Sequence, residues 1–200
     1  MKIKLISISL FLLLMNCSLI KAQSRYYGGG NLVVKTNVAG LAIGNLNVAG
    51  EFLIKPEIFN KSLTVNIPVS YNPFTYRNNV KLKHIAFQPE LRMWFNQPFT
   101  DFFVGVHAHY AYYNAGGVSA FSTPLKERRY QGSLYGMGIS GGYKHSLNNR
   151  FSLEASLGIG YATMKHDIYR CAKCGTRIGS EHKNYVGPTK ATIAVVYQID

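Results

Sequence analysis

The sequence predicts an all-β protein, an eight-stranded antiparallel transmembrane up-and-down β-barrel, on three observations. Apolar residues alternate with small or polar ones through one strand-length segment after another. The connectors between those segments alternate in length, and the chain opens with the layout of a secretory leader.

Lys2 and Lys4 precede an apolar run over residues 5–15, and the small residue Ala22 precedes Gln23, so residues 1–22 read as a signal peptide. The run is shorter than the roughly 20 residues that a membrane-spanning helix needs, and no later segment is continuously apolar for that length. Residues 23–30 then make a flexible N-terminal segment and residues 31–200 the barrel. A second reading of the leader makes Cys17 a lipidated N-terminus, but Asn16 stands where such a site wants a small residue.

The first strand comes from residues 31–39. Leu46, Val48, Phe52 and Ile54 keep the alternation weakly in a second, and Leu63, Val65, Ile67, Val69 and Tyr71 keep it clearly in a third. A fourth runs through Ile85, Phe87, Pro89, Leu91, Met93 and Phe95. In the fifth, Phe102, Val104, Val106, Ala108, Tyr110 and Tyr112 stand against Phe103, Gly105, His107 and His109. Tyr135, Met137, Ile139 and Tyr143 alternate with glycines in the sixth. Phe151, Leu153, Ala155, Leu157, Ile159 and Tyr161 mark the seventh, and residues 190–199 supply the last. An even count returns the C-terminus to the side of the N-terminus. Connectors near 56–60, 96–100 and 147–149 are short, those near 72–82, 115–130 and 167–187 are long, and only the one near 40–45 breaks the pattern. Short periplasmic turns and longer outer loops make this an outer-membrane arrangement with both termini periplasmic.

Length separates a membrane barrel from a soluble one. On the apolar face, residues 102–112 and 151–161 would each cover roughly 25 Å at about 3.3 Å rise and about 40° tilt. Aromatics bracket that band: Phe95, Phe102, Tyr143, Phe151 and Tyr197 on one side, Tyr71, Tyr112, Tyr135 and Tyr161 on the other. The opposite face carries Lys35, Glu51, Glu90, Arg92, Lys144, Glu154 and Lys190, with His107 and His109. Charges so placed are tolerable only inside a closed barrel and paired with one another, which predicts an interior network that fills the lumen. Such a plug, and the narrowness of eight strands, argue against a diffusion pore.

Fourteen Tyr, eleven Phe and nineteen Gly in a chain with 16% charged residues suit aromatic girdles and glycine-rich strands. The formal charge of +13 falls to about +10 without Lys2, Lys4 and Lys21. An exported protein meets anionic lipid or polysaccharide rather than nucleic acid, so lipopolysaccharide is the expected partner. The basicity concentrates on the predicted outer loops. Arg77, Lys81, Lys83, Lys126, Arg128, Arg129, Lys165, Arg170, Lys173, Arg177 and Lys183 face only Glu127, Asp167 and Glu181. Arg77, Lys126, Arg128, Arg129, Arg170, Lys173 and Arg177 are the candidate lipid contacts, because guanidinium and ammonium groups pair with phosphate.

The motifs Lys35-Thr36-Asn37, Gln88-Pro89-Glu90-Leu91-Arg92-Met93-Trp94-Phe95, Gly105-Val106-His107-Ala108-His109, the stretch 153–161, Cys171-Ala172-Lys173-Cys174-Gly175 and Gly187-Pro188-Thr189-Lys190 occur in this order. With them the chain resembles a domain-of-unknown-function family of small exported barrel proteins from Bacteroides-type Gram-negative bacteria, some encoded near fimbrillin-type fimbriae genes. The resemblance covers nearly the whole mature chain and implies an outer-membrane address, an envelope role and a surface or fimbrial protein partner. It implies no catalytic residues. Members of such barrels often finish on an aromatic residue, whereas this chain ends Tyr197-Gln198-Ile199-Asp200.

Three constellations invite chemistry. Gly136-Met137-Gly138-Ile139-Ser140-Gly141 matches a dinucleotide fingerprint by letter, but the fingerprint needs a following helix where this chain continues as strand and turn. Small residues making room for large interior neighbours explain it instead. Cys171 and Cys174 favour a local disulfide in an oxidising compartment, with a Cys2His2 zinc site completed by His166 and His182 as the alternative. His107 and His109 read as members of the interior network before proton carriers or ligands. No cofactor is expected. The leading function is a non-enzymatic envelope-stabilising or surface-interaction protein. The competing one is a lipid A acyl-modifying enzyme, for which the outer loops offer Ser119, Ser122, His166, Ser180 and His182. Alkylation and intact-mass measurement of the mature protein are expected to find Cys171 and Cys174 oxidised; two free thiols with bound zinc would select the metal site.

Overall fold

The computed structural model describes residues 31–58, 61–76, 80–117, 128–170 and 175–199, with no side-chain description for residues 55–58. The predicted leader, Cys17 and the segment 23–30 lie outside the described residues, as do Arg77, Ser119, Ser122, Lys126, Glu127, Cys171, Lys173 and Cys174.

Nine antiparallel strands and one helical turn make up the described chain: β1 (Leu32–Asn37), α1 (Val38–Ala42), β2 (Leu46–Ile58), β3 (Lys61–Asn72), β4 (Lys81–Phe87), β5 (Glu90–Trp94), β6 (Asp101–Gly116), β7 (Arg128–Ser146), β8 (Phe151–Arg170) and β9 (Arg177–Ile199). The strands close in a ring. β1 pairs with both β2 and β9, pairing runs on from β9 through β8 and β7 to β6, and β3 joins β2 to β4 and β5.

The count of nine corrects the expected eight, and the reason is Pro89. β4 and β5 occupy one place in the ring, both between β3 and β6. The pairs Val69↔Phe87 and Asn66↔Glu90 lie in one uninterrupted register, as do Phe87↔Tyr110 and Glu90↔His107. A proline has no N–H to give the ladder, so pairing lapses there without a slip. The backbone still crosses the gap, with Gln88 N donating to Pro68 O (3.2 Å) and Ala108 N to Pro89 O (3.0 Å).

Two connector expectations also change. The first strand stops at Asn37 rather than 39, because the Asn37 side chain accepts from Gly40 N (3.4 Å) and starts α1. Gly44, at φ +78°, then reverses the chain into β2. The predicted long loop 167–187 is mostly strand: β8 continues to Arg170 and β9 begins at Arg177, paired from Tyr169↔Arg177 downward. The apolar alternation ends near Tyr161, so the sequence marked the end of the apolar band rather than the end of hydrogen bonding.

Side chains divide between two faces. Met137, Leu157 and Val186 are 70%, 71% and 80% exposed, in company with Phe102, Val104, Val106, Ile139, Phe151 and Ile159. Inside lie Glu51, Glu90, Arg92 and Glu154, each at most 1% exposed. Among the described residues, the large apolar side chains buried in the interior gather in one small cluster of Val33, Trp94, Phe99, Phe103 and Val196. Trp94 tilts against Phe103 at 4.8 Å between centroids, and the β5–β6 turn tucks Phe99 edge-on against it at 6.3 Å.

The glycine-rich face of β7 is what lets large groups fit. Gly138 lies across from His107 and Gly136 from His109. A methyl group on Gly138 would sit 2.8 Å from His107 Nε2 and against the Ile159 carbonyl. Gly141 points the other way, its nearest neighbour 3.9 Å off. Gly138→Val is therefore expected to destabilise the sheet by about 1–3 kcal/mol or more, and Gly141→Val to be close to neutral, read from thermal loss of the β circular-dichroism signal.

Candidate functional site

Strand parity places one charged or polar side chain after another on the inner face: Lys35 on β1, Glu51 on β2, Glu90 and Arg92 on β5, Glu154 on β8 and Lys190 on β9. Arg92 stands at the centre. Its Nε donates to Glu90 Oε2 (2.6 Å), its Nη1 to Glu51 Oε2 (2.9 Å) and Glu154 Oε2 (3.1 Å), and its Nη2 lies 3.0 Å from Glu154 Oε1. Lys35 Nζ bridges Glu154 Oε2 (2.8 Å) and Glu51 Oε2, and Lys190 Nζ pairs with Glu90 Oε2 (2.5 Å). The planar, multiply donating guanidinium suits this hub as an ammonium would not. Its flat face rests on Phe103, 4.2 Å from the ring centroid.

Neutral groups complete the shell. Thr64 donates to Glu51 Oε1 while accepting from Trp94 Nε1 (2.9 Å), Ser140 donates to Glu90 Oε1, and Asn66 Nδ2 donates to Glu90 Oε2 (3.2 Å). Three cations thus meet three carboxylates from five strands, tying opposite sides of the ring together. With every carboxylate already bound by cations, the cluster offers cross-linking rather than acid–base chemistry.

Lys144 departs from its expected place in the network. It is buried and lies across from Glu154 in register, but makes no ion pair among the described residues. Both Glu154 oxygens are engaged by Arg92 and Lys35, and the Lys144 ammonium sits 5.4 Å from the Phe99 ring centroid instead. His107 and His109 both reach the interior, their rings 5.8 Å apart, and His107 Nε2 lies 2.9 Å from Thr189 Oγ1.

Thr189, Thr64, Asn66, Ser140 and Trp94 were not singled out from the sequence. Alternation alone could have found the last four, since they share parity with neighbouring interior residues. Thr189 could not be found that way. The register shifts between Gly158↔Lys190 and Ile159↔Pro188, so Thr189 is the extra residue of a β-bulge and its hydroxyl turns inward beside Lys190. Gln88 reaches across the ring to the Thr189 carbonyl (3.1 Å).

At the other end, the long β7, β8 and β9 carry the described candidate lipid contacts Arg128, Arg129, Arg170 and Arg177, while Lys81 and Lys83 lie on β4. Arg128 and Arg170 are exposed and directly opposite one another. Arg129 lies over the Tyr169 ring at 4.7 Å, and Arg177 pairs with Asp167 (2.8 Å). A hydrogen bond from the Ser180 hydroxyl (2.7 Å), together with Arg177, holds the Asp167 carboxyl below the ordinary carboxylate range. Ser180 thereby donates to an acid, not to an imidazole base, which is the wrong partner for an activated nucleophile. His166 is buried, 2.9 Å from the Tyr113 hydroxyl, whereas His182 is exposed. The registers His166↔Glu181 and Lys165↔His182 put the two histidines on opposite faces of the hairpin, so they do not converge on one ion. No group of three or more metal-ligating side chains occurs among the described residues.

Fold and site together define an all-β protein built as a closed antiparallel ring, with an ion-paired interior and an apolar exterior. The chain belongs to the family described as protein of unknown function (DUF3575), which matches residues 8–199. No curated protein and no solved structure matches it.

Removing the hub leaves three buried carboxylates to share the two ammonium groups of Lys35 and Lys190. Arg92→Ala is expected to cost about 3–5 kcal/mol in unfolding experiments. Combining Arg92→Met with Glu154→Gln should cost clearly less than the two changes added, because each removes the other's unpaired charge; additive losses would mean that the pair is not coupled.

Proposed function

We propose that the ring is a transmembrane β-barrel of a Gram-negative outer membrane, with both termini periplasmic. In this reading it works as a non-enzymatic envelope-stabilising or surface-interaction module, and its basic outer rim binds lipopolysaccharide phosphates. The observation that carries the reading is the inverted distribution of side chains: ion pairs inside, and a continuous belt of exposed Val, Ile, Leu, Met and Phe outside. In water such a belt would far exceed the apolar patches that monomers expose, while in hydrocarbon it is the required surface. The ring closes through β1, which pairs with β2 and with β9 over Ala194–Ile199, and such closure of the ladder is the condition for β structure in lipid; above Ala194, β9 pairs with β8 alone.

Tyr71, Tyr112, Tyr135 and Tyr161 bound the belt towards the rim, and Phe95, Phe102, Tyr143, Phe151 and Tyr197 bound it towards the termini. Such rings of aromatics suit the two polar interfaces of a bilayer. Above the tyrosines, Arg128 and Arg170 face each other with no acidic partner among the described residues. Like charges directly across a ladder repel, and an anion between them relieves the repulsion. Phosphates of the outer leaflet supply one. A surface or fimbrial protein is the further partner that the family resemblance suggests.

Topology and contact are tested separately. With Cys171 and Cys174 replaced by Ser, Gly179→Cys is expected to react with an impermeant maleimide on intact cells; reaction only after permeabilisation would reverse the orientation. Purified protein is expected to bind lipopolysaccharide with an affinity that falls steeply with salt, since exposed charges are screened beyond about 8 Å at physiological ionic strength. Arg128→Ser with Arg129→Ser should weaken that binding without lowering thermal stability. Salt-independent binding would remove the rim from the contact surface.

A further inference from the structure

Followed across the strands, the outer face of β6 to β9 is ordered in rows. Ala108, Met137, Tyr161 and Val186 stand side by side in the apolar belt. Two rows further out stand Tyr112, Ser133, Lys165 and His182, one from each strand and directly opposite one another. These four border a shallow cleft of about 520 Å³ on the outer surface.

Every member of this outer row carries a hydrogen-bond donor that has no acceptor among the described residues. Lys165, Ser133 and His182 make no hydrogen bond or ion pair there. The Tyr112 hydroxyl accepts from Gln131 Nε2 (2.7 Å), which leaves its own proton to be given outward. The nearby carboxylates are already taken. Asp167, one row further out, is held by Arg177 (2.8 Å) and Ser180 (2.7 Å). Glu181 is on the other face, 3.5 Å from His166 Nε2. Neighbouring strands lie about 4.8 Å apart, so an anion over the Lys165 ammonium has the Ser133 hydroxyl on one flank and the His182 ring on the other.

We propose that this row binds the phosphate group of a membrane lipid whose hydrocarbon lies along the belt below it. The inference rests on the membrane reading given above and assigns it a site. A phosphate offers separate oxygens to the ammonium and to both flanking donors, which one short carboxylate does less well. Height selects a lipid over a free ion. Lys165 is four residues beyond Tyr161, about 10 Å of height at about 3.3 Å rise and about 40° tilt. That sets its ammonium at the headgroups of a lipid whose chains lie against Met137, Tyr161 and Val186. Arg128 and Arg170 stand five residues further out than Ser133 and Lys165, so the two sets meet the same glycolipid at different depths.

The test is native mass spectrometry of the mature protein in detergent with monophosphoryl lipid A, with the same lipid stripped of its phosphate, and with inorganic phosphate. The phosphorylated lipid is expected to bind at least about tenfold more tightly than either of the others. Lys165→Gln should lose about tenfold or more of that affinity and Lys165→Arg should keep most of it, both with unchanged thermal loss of the β circular-dichroism signal. Tyr112→Phe, which removes only the hydroxyl, should weaken binding less than Lys165→Gln does. Full affinity in Lys165→Gln alongside a loss in Arg128→Ser with Arg129→Ser would overturn this site and leave the basic rim standing. Equal binding of the stripped lipid would overturn both. Inorganic phosphate binding as tightly as the lipid would replace the lipid by a free ion and overturn the assignment.

Discussion

Everything else in this structure depends on the neutralisation of charge in a narrow interior. Three carboxylates held away from water would each carry a penalty of several kcal/mol if left alone. They are instead gathered around Arg92, which reaches Glu51, Glu90 and Glu154 at once, while Lys35 and Lys190 take up oxygens that Arg92 shares. Because these residues come from β1, β2, β5, β8 and β9, the pairing is satisfied only when the ring is closed and the registers are correct. A shift of one residue in any of these strands would turn its charge to the outer face. The ion network therefore specifies the fold as much as it stabilises it.

The space for that network is made by what the strands omit. Gly136 and Gly138 leave room for His109 and His107, and Gly142 for Phe103, on which the Arg92 guanidinium rests. Lys144 shows the limit of the arrangement. With Glu154 already engaged on both oxygens, the fourth interior cation turns to the face of Phe99, at the end closed by the Trp94–Phe99–Phe103 cluster. The interior is consequently apolar at one end, ionic in the middle and amide-rich towards the α1 mouth.

The outer surface obeys a separate rule. Alternation repeated along β6, β7 and β8 puts branched and aromatic side chains outward whatever the interior does, since successive Cβ atoms point to opposite faces. Beyond the tyrosines the strands continue hydrogen-bonding but change composition, β7 carrying Arg128 and Arg129, β8 Arg170 and β9 Arg177. One ladder thus carries two kinds of outer surface, an apolar belt and a basic end, and the boundary between them is chemical rather than a break in secondary structure. For that reason a reading of hydrophobic period placed the strand ends near the aromatic rows, well short of Arg170 and Arg177.

The sequence by itself determined the class, the parity of each strand and the identity of the interior charges, because a period of two assigns Lys35, Glu51, Glu90, Arg92, Glu154 and Lys190 to one face without any knowledge of partners. Pairing was another matter. That Arg92 is the hub, that Lys144 stands apart, and that Gln88 and His107 meet at Thr189 depend on which strands lie across the ring from one another, and periodicity along a strand contains no such information. The interruption at Pro89 and the bulge at Thr189 belong to the same category. Each is a local departure from the ladder whose consequence, a lapse without a slip in one case and an inward-turned hydroxyl in the other, is decided by the neighbouring strands, since hydrogen bonding in a sheet is made between segments distant in the chain.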